Sequence, residues 1–154
     1  MTATVELRVR GSLDHLRLVW QAGETLLENL TFAEDPESAR YNVLLAVQEM
    51  VTNVLRHAYS GRDDLPLEVR FTAEERTFQV EIRDRGPGFD PLRVETDAMR
   101  TVREGEDVEA PNEGGYGILI ARMVMDELTY ERRGDWNVLT MRKVCGAPLR
   151  SPVA

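Results

Sequence analysis

Residues 49–58, EMVTNVLRHA, carry four side chains that could do chemistry within three helical turns: Glu49, Asn53, Arg56 and His57. In a helix that advances about 100° per residue, Asn53 lies about 40° from Glu49, and Arg56 about 20° from it on the other side. An amide oxygen is a suitable ligand for Mg²⁺, and a carboxylate one turn earlier can accept a proton from a nearby hydroxyl or water. The alternative is an ordinary amphipathic helix whose polar side is solvated.

A second stretch, RDRGPGFDP, contains an acidic side chain at the end of an alternating run, followed by two glycines. Asp84 precedes Gly86 and Gly88, and glycines let the backbone approach a ligand closely. A carboxylate held at a strand end can accept a hydrogen bond from an exocyclic amine such as that of adenine. The alternative is a simple Gly/Pro turn with a solvated carboxylate.

The third stretch, GGYGILIARM, is a glycine cluster directly before an apolar helical run. The free N–H groups and the dipole at a helix N-terminus bind phosphate, and Gly114, Gly115 and Gly117 would let phosphate oxygens come near. The cluster is neither a Walker A loop, because no Lys-Ser/Thr follows, nor a dinucleotide fingerprint, because no strand leads into it. The alternative is a flexible hinge.

The composition limits which kinds of protein these groups can belong to. The chain has 154 residues with 42% hydrophobic side chains, which suits a single domain, and its net charge of -8 argues against a nucleic-acid backbone as main partner. With only Cys145, His15 and His57, neither an internal disulfide nor a zinc site of ordinary spacing is expected. No apolar run approaches the roughly 20 residues of a membrane span, and the N-terminus lacks a signal peptide's apolar block. We therefore expect a soluble, cytoplasmic protein.

Hydrophobic periodicity predicts the elements that must position these groups. Period-two alternation predicts a strand near 5–9, a hairpin across 65–84 with the turn TAEER, and a closing hairpin that turns at Gly134-Asp135. Helical spacing predicts a first helix over 13–30 with Ser12 as N-cap, and a second that starts with the cap Asp35 and Pro36 and ends near Tyr59. A third helix should follow the glycine cluster. On the second helix the expected core side consists of Val47, Met50, Val51, Val54 and Ala58.

Two segments carry weaker patterns. Residues 91–113 are strongly acidic with little periodicity, and a long loop inside a domain more often covers a ligand than not. Residues 146–154 have the composition of a frayed tail. We therefore expect one domain over 1–145, with a lid at about 91–113 and a flexible tail at 146–154.

Four segments in this order resemble the ATPase domain shared by DNA gyrase, histidine kinases and MutL, known as the GHKL superfamily or Bergerat fold. They are QEMVTNVLRHAY, IRDRGPGFDP, GGYGILIARMVMDELTY and VLTMRK. Nearly the whole chain is similar to the small anti-sigma-factor serine/threonine kinases of the RsbW and SpoIIAB kind. The resemblance implies an α+β fold, a two-layer α/β sandwich in which helices cover one face of a mixed, mostly antiparallel sheet.

The resemblance also implies ATP and Mg²⁺ as cofactors. It assigns Glu49 as the catalytic base, Asn53 as the Mg²⁺ ligand and Asp84 as the group that reads adenine, with Thr140 supporting that contact from the last hairpin. The phosphates would lie beneath the lid at 91–113. The full set that it assigns to ATP binding is Asn53, Arg56, His57, Asp84, Gly86, Gly88, Gly114, Gly115, Gly117 and Thr140.

The expected function is a Mg-ATP-dependent serine/threonine kinase that phosphorylates a small STAS-type antagonist and otherwise sequesters a sigma factor or similar regulator. A possible homodimer follows from the same resemblance. One alternative is a nucleotide-gated binding module that sequesters a partner without phosphoryl transfer. Another is a structural two-layer domain that has lost nucleotide binding.

Overall fold

A computed structural model of the chain describes residues 2–88, 90–93 and 116–146. The strands are β1 (Ala3–Arg10), β2 (Pro66–Ala73), β3 (Thr77–Asp84), β4 (Glu127–Arg133) and β5 (Trp136–Val144). The helices are α1 (Leu16–Leu27), α2 (Pro36–Asn53) and α3 (Tyr116–Val124). Shorter turns of helix occupy Leu13–His15, Val54–Ala58 and Pro91–Arg93.

The strands form one five-stranded sheet in the order β1-β2-β3-β5-β4. Every pairing among the described strands is antiparallel. The predicted two-layer α+β fold is confirmed, and the parallel component of a mixed sheet does not occur between these strands. The last hairpin turns at Gly134-Asp135 as predicted, with Gly134 at a φ of 59° that a glycine adopts without strain.

Strand alternation separates an apolar face of the sheet from a charged one. On β2 and β3 every second side chain is buried, and the inward-facing set includes Val69, Phe71, Val80 and Ile82. These side chains pack with apolar residues of α1, α2 and α3 in a single core. The opposite face carries charged side chains, and the core therefore lies between the sheet and the helices.

The predicted helix caps are present. The Ser12 hydroxyl accepts a hydrogen bond from the Asp14 N–H at 3.2 Å, and the Asp35 carboxylate accepts one from the Ser38 N–H at 3.1 Å. Pro36 occupies the first turn of α2, where its missing donor costs nothing. The first helix differs from the prediction because its first turn, Leu13–His15, is a 3₁₀ turn and α1 proper begins at Leu16.

The second helix does not continue as a regular α-helix to Tyr59. After Asn53 it changes to a π-helical turn, Val54–Ala58, in which the Tyr59 N–H donates to the Val54 carbonyl at 2.9 Å. A π turn accommodates one extra residue and so rotates the side chains that follow. As a result Leu55 and Tyr59 are buried, whereas Val54 and Ala58 are only half-buried. Both still pack against the core, so the predicted core side is confirmed, with Val54 and Ala58 at its edge and Val47, Met50 and Val51 fully buried.

The chain after β5 is anchored for two residues. The Gly146 N–H donates to the Thr31 carbonyl at 3.0 Å, and a Cβ at this position would lie 2.6 Å from the Ala33 nitrogen. Gly146 is therefore packed against the α1–α2 connection, although the predicted tail began with it. Residues 147–154 lie outside the described residues. Among the helices that the structure describes, none combines the length and apolar composition of a membrane span.

Candidate nucleotide-binding site

The start of α3 packs directly against the side of α2 that carries Glu49 and Asn53. A Cβ added at Gly117 would lie 3.0 Å from the Glu49 Cβ and 3.2 Å from the Asn53 Nδ2. Glu49 and Asn53 are both half-buried one turn apart. Absence of a side chain at Gly117 thus allows the start of α3 to reach the two residues predicted for metal binding and proton transfer.

The polar groups of Glu49 and Asn53 are largely uncommitted within the described part of the chain. The Glu49 carboxylate has no hydrogen-bond or ion-pair partner there. For Asn53 the contact seen is a long one, from Nδ2 to the Met50 sulfur at 3.9 Å, which leaves its amide oxygen without a partner among these residues. A carboxylate and an amide oxygen are therefore available side by side, and such hard oxygen atoms suit Mg²⁺.

Asp84 ends β3 on the apolar face of the sheet, and the side chain is only 7% exposed. Its Oδ1 accepts two hydrogen bonds, from the Gly86 N–H and from the Asn137 Nδ2, each at 2.9 Å. These donors occupy the two lone pairs of Oδ1. No described residue donates to Oδ2, which leaves one carboxylate oxygen for a ligand.

The turn after Asp84 contacts the end of the second helix. A Cβ at Gly86 would lie 2.7 Å from the Ala58 Cβ and 3.3 Å from the Ala58 carbonyl oxygen. Only glycine lets the turn approach this closely. Gly88 is exposed, and a Cβ there would lie 3.1 Å from the Arg132 Cδ. Gly86 therefore sets the distance between β3 and the π-helical turn, whereas Gly88 lies against Arg132 of β4.

Tyr59 holds the turn after Asp84 in place through hydrogen bonds of its hydroxyl group. Its ring is buried, its hydroxyl donates to the Pro66 carbonyl, and the Arg85 N–H donates to that hydroxyl at 2.9 Å. Burial raises the pKa of Tyr59 to about 12, and the neighbouring Asp84 charge acts in the same direction. The hydroxyl therefore stays protonated near neutral pH and links the helix end, β2 and the backbone beside Asp84.

Thr140 does not lie in this site. It pairs with Glu81 across β3 and β5, whereas Asp84 pairs with Asn137. Because successive side chains of a strand point to opposite faces, Thr140 lies on the charged face, away from Asp84. This placement contradicts the contact predicted for Thr140 near a base held by Asp84.

Asn137 and Arg132 are residues that the sequence reasoning missed. Asn137 is 4% exposed and hydrogen-bonded to Asp84, and the Arg132 Nη1 donates to the Gly86 carbonyl at 3.1 Å. Counting back in steps of two from the buried Met141 and Leu139 would have placed Asn137 on the inner face. No comparable pattern signals Arg132, since it is one of several exposed charged residues on the edge strand β4.

Among the described residues, Arg56 and His57 are the predicted ones that make no contact with this site. Arg56 and His57 are exposed on the π-helical turn, and no hydrogen bond or ion pair joins them to other described residues. Gly114 and Gly115 lie outside the described residues, as does the predicted lid apart from its first three residues. Those three form the short helix Pro91–Arg93, to which α3 is tied by a hydrogen bond from Arg122 to the Leu92 carbonyl.

Comparison with known proteins shows the family of the chain. The family described as "Histidine kinase-like ATPase domain" matches residues 9–143. The serine-protein kinase RsbW of Listeria monocytogenes serotype 4a is 32% identical over 84 residues, which cover 54% of this chain and 53% of that protein. The chain thus matches about half the length of this relative. The serine/threonine-protein kinase BtrW of Bordetella bronchiseptica is 28% identical over 142 residues, covering 91% of this chain and 92% of that protein.

A solved structure shares the fold. The crystal structure of the RsbU and RsbW domains of a Mycobacterium tuberculosis protein superposes with a TM-score of 0.57 at 14% identity, over 98% of this chain and 35% of that one. At this identity the likeness concerns the fold alone. The match over 9–143 covers most of the chain, including every described segment of the candidate site.

Proposed function

This chain belongs to the histidine kinase-like ATPase domain family, and from that premise we propose that it is a Mg-ATP-dependent serine/threonine protein kinase. We propose further that it phosphorylates a small STAS-type antagonist protein in the cytoplasm and otherwise sequesters a sigma factor or similar regulator. A homodimer belongs to the same proposal. The names of the RsbW and BtrW relatives, both protein kinases, support it.

One observation carries the proposal. Segments distant in sequence converge on the stretch 49–58, because Gly117 contacts Glu49 and Asn53, and Gly86 contacts Ala58. The separate alternatives for these motifs, a solvated helix face, a simple turn and a hinge, do not require such convergence. Binding of a nucleotide requires these segments to lie together, since the base and the phosphates lie at opposite ends of one elongated ligand.

At the phosphate end, Asn53 would ligate Mg²⁺ through its amide oxygen. When bound, the metal neutralises charge on the phosphate groups that transfer engages. Glu49 would accept the proton of the substrate hydroxyl at its carboxylate as that hydroxyl attacks. Gly117, together with Gly114 and Gly115, would place backbone N–H groups at the start of α3 toward the phosphates.

At the base end, the free Oδ2 of Asp84 would accept a hydrogen bond from the exocyclic amine of adenine. The carboxylate is buried and held by two donors, so its orientation is set before a ligand arrives. Preorganisation of this kind lowers the entropic cost of binding. Gly86 and Gly88 would line the same pocket.

Transfer of label from γ-labelled ATP to candidate antagonist proteins tests the enzyme directly. We expect the wild-type protein to label its antagonist on serine or threonine, and Glu49→Gln to reduce transfer by about 10²- to 10⁴-fold while nucleotide binding persists. Glu75→Gln, at an exposed position in the β2–β3 turn, is the matched control. Full transfer by Glu49→Gln would show that the base is wrongly assigned.

The same assay separates the kinase from a nucleotide-gated binding module. A module would bind Mg-ATP and its partner, yet consume no nucleotide in the presence of any antagonist. That outcome would contradict phosphoryl transfer but keep the nucleotide site. A wild-type protein that binds no nucleotide would contradict both readings.

A further inference from the structure

We propose that Asn137 is a positioning residue that selects the base, by committing one oxygen of Asp84 to the protein and leaving the other to accept from an exocyclic amine. The ligand class is a purine nucleotide with a 6-amino group, as opposed to a 6-oxo group. The inference rests on the proposed nucleotide site and adds to it the residues that set its selectivity.

The amide nitrogen of Asn137 is surrounded by acceptors. It donates to the Asp84 Oδ1 at 2.9 Å, to the Gly86 carbonyl at 3.0 Å and to the Pro87 carbonyl at 3.1 Å. Asn137 is 4% exposed, so these contacts are made away from water. Buried hydrogen bonds to a carboxylate are stronger than neutral ones, and an unmade one is costly.

The amide oxygen of Asn137 receives donors on its other side. The Tyr130 hydroxyl donates to it at 2.6 Å, and the Arg132 Nη1 at 2.9 Å. Rotating the amide by 180° would place oxygen against three acceptors and nitrogen against two donors. The surrounding chemistry therefore allows one orientation only, with the donor facing Asp84.

This hydrogen-bond network determines which acceptor atoms remain available to a ligand. Both lone pairs of the Asp84 Oδ1 are occupied, and the carbonyls of Gly86 and Pro87 are turned toward Asn137. Among the described residues around Asp84, its Oδ2 atom is then the acceptor that remains for a ligand. A 6-amino group can donate to it, whereas the oxygen of a 6-oxo purine would meet a second acceptor, and a site that leaves a buried polar group unpaired rejects that ligand.

Nucleotide discrimination within each variant tests this role. We would titrate Mg-ATP, Mg-inosine triphosphate and the triphosphate of unsubstituted purine riboside into the full chain. We expect the wild type to bind Mg-ATP about tenfold more tightly than the unsubstituted purine nucleotide, as one well-made hydrogen bond provides. In Asn137→Ala we expect this ratio to fall at least about fivefold, because the carboxylate is free to turn and to be solvated.

Tyr130→Phe provides a milder second variant, since it removes one donor to Asn137 and keeps the ring. We expect an intermediate ratio, reduced about twofold. Thr129→Ala, an exposed position on the same strand, is the control that should keep the wild-type ratio. A ratio of two affinities measured on one preparation is insensitive to a reduced fraction of competent protein, because that fraction cancels.

The outcomes separate this inference from the proposed function. If the wild type binds nucleotides but Asn137→Ala and Tyr130→Phe keep its discrimination, Asn137 does not set selectivity. If the wild type binds Mg-ATP and the unsubstituted purine nucleotide equally, Asp84 does not read the amine, although the nucleotide site stands. If the wild type binds none of the three, both the selectivity and the proposed function are overturned.

Discussion

Replacing Asp84 with asparagine changes one ligand-facing atom from an acceptor to a donor, while the hydrogen bonds that hold the side chain of residue 84 are kept. The Oδ1 position accepts from the Gly86 N–H and from Asn137, so an amide at residue 84 must place its oxygen there and its NH₂ group where Oδ2 was. The reverse orientation would set donors against donors. Asp84→Asn therefore converts the free acceptor into a donor.

The magnitude follows from the bonds lost and kept. A hydrogen bond to a charged group contributes about 1.5–3 kcal/mol, so losing it should weaken Mg-ATP binding roughly 10- to 100-fold. The two bonds at Oδ1 persist as neutral ones, which should keep the free energy of unfolding within about 1–2 kcal/mol of wild type. Binding of Mg-inosine triphosphate should improve relative to Mg-ATP, because its 6-oxo group accepts from the new NH₂.

Isothermal titration calorimetry with both nucleotides measures the two affinities, and urea unfolding measures the stability. Asp63→Asn, at an exposed position with no ion pair to other described residues, removes the same charge far from the site and should leave both affinities unchanged. The reasoning is refuted if Asp84→Asn folds normally and binds Mg-ATP within about threefold of wild type, since one lost charge-assisted hydrogen bond is worth more than that.

Two further predictions concern Gly86 and Tyr59, which hold the turn after β3 against the π-helical turn. Gly86→Ala should lower the free energy of unfolding by about 1–3 kcal/mol in urea titrations, because the new Cβ would lie 2.7 Å from the Ala58 Cβ; unchanged stability would show that the turn moves away freely. Burial raises the pKa of Tyr59 to about 12 from an ordinary value near 10, so the folded state holds the phenol proton more tightly than the unfolded state does. The contribution of this group to the free energy of unfolding should therefore be fully present below pH 10 and be lost as pH rises toward 12. Urea unfolding at pH 8 and pH 11 should show a smaller loss in Tyr59→Phe than in wild type or in the exposed control Tyr41→Phe, and equal losses would contradict this.

Several elements could be predicted from the sequence because their signals are local. Capping side chains such as Asp35, the Pro36 at a first turn, and period-two alternation in β2 and β3 depend on neighbours within a few residues. The structure has all of them. The π-helical turn at Val54–Ala58 gave no such signal, since one inserted residue changes the helical phase without altering composition.

The site itself needed information that no local pattern carries. Thr140 and Asn137 differ by three positions on one strand, which changes the face of the sheet, so a motif placed without the register selects the wrong side chain. Arg132 reaches the turn at Gly86 because β4 lies beside β5, an adjacency fixed by the sheet as a whole. The family resemblance linked Glu49 with Gly117, and their contact in the structure gives that link a physical basis.

Amide chemical-shift mapping of the full chain during titration with Mg-ATP tests most directly whether the distant segments form one nucleotide site. We expect the largest shifts to fall together in 49–58, in 84–88 and at Gly117, with the charged face of the sheet unaffected. Shifts confined to one of these segments, or no shift at saturating Mg-ATP, would contradict a shared site.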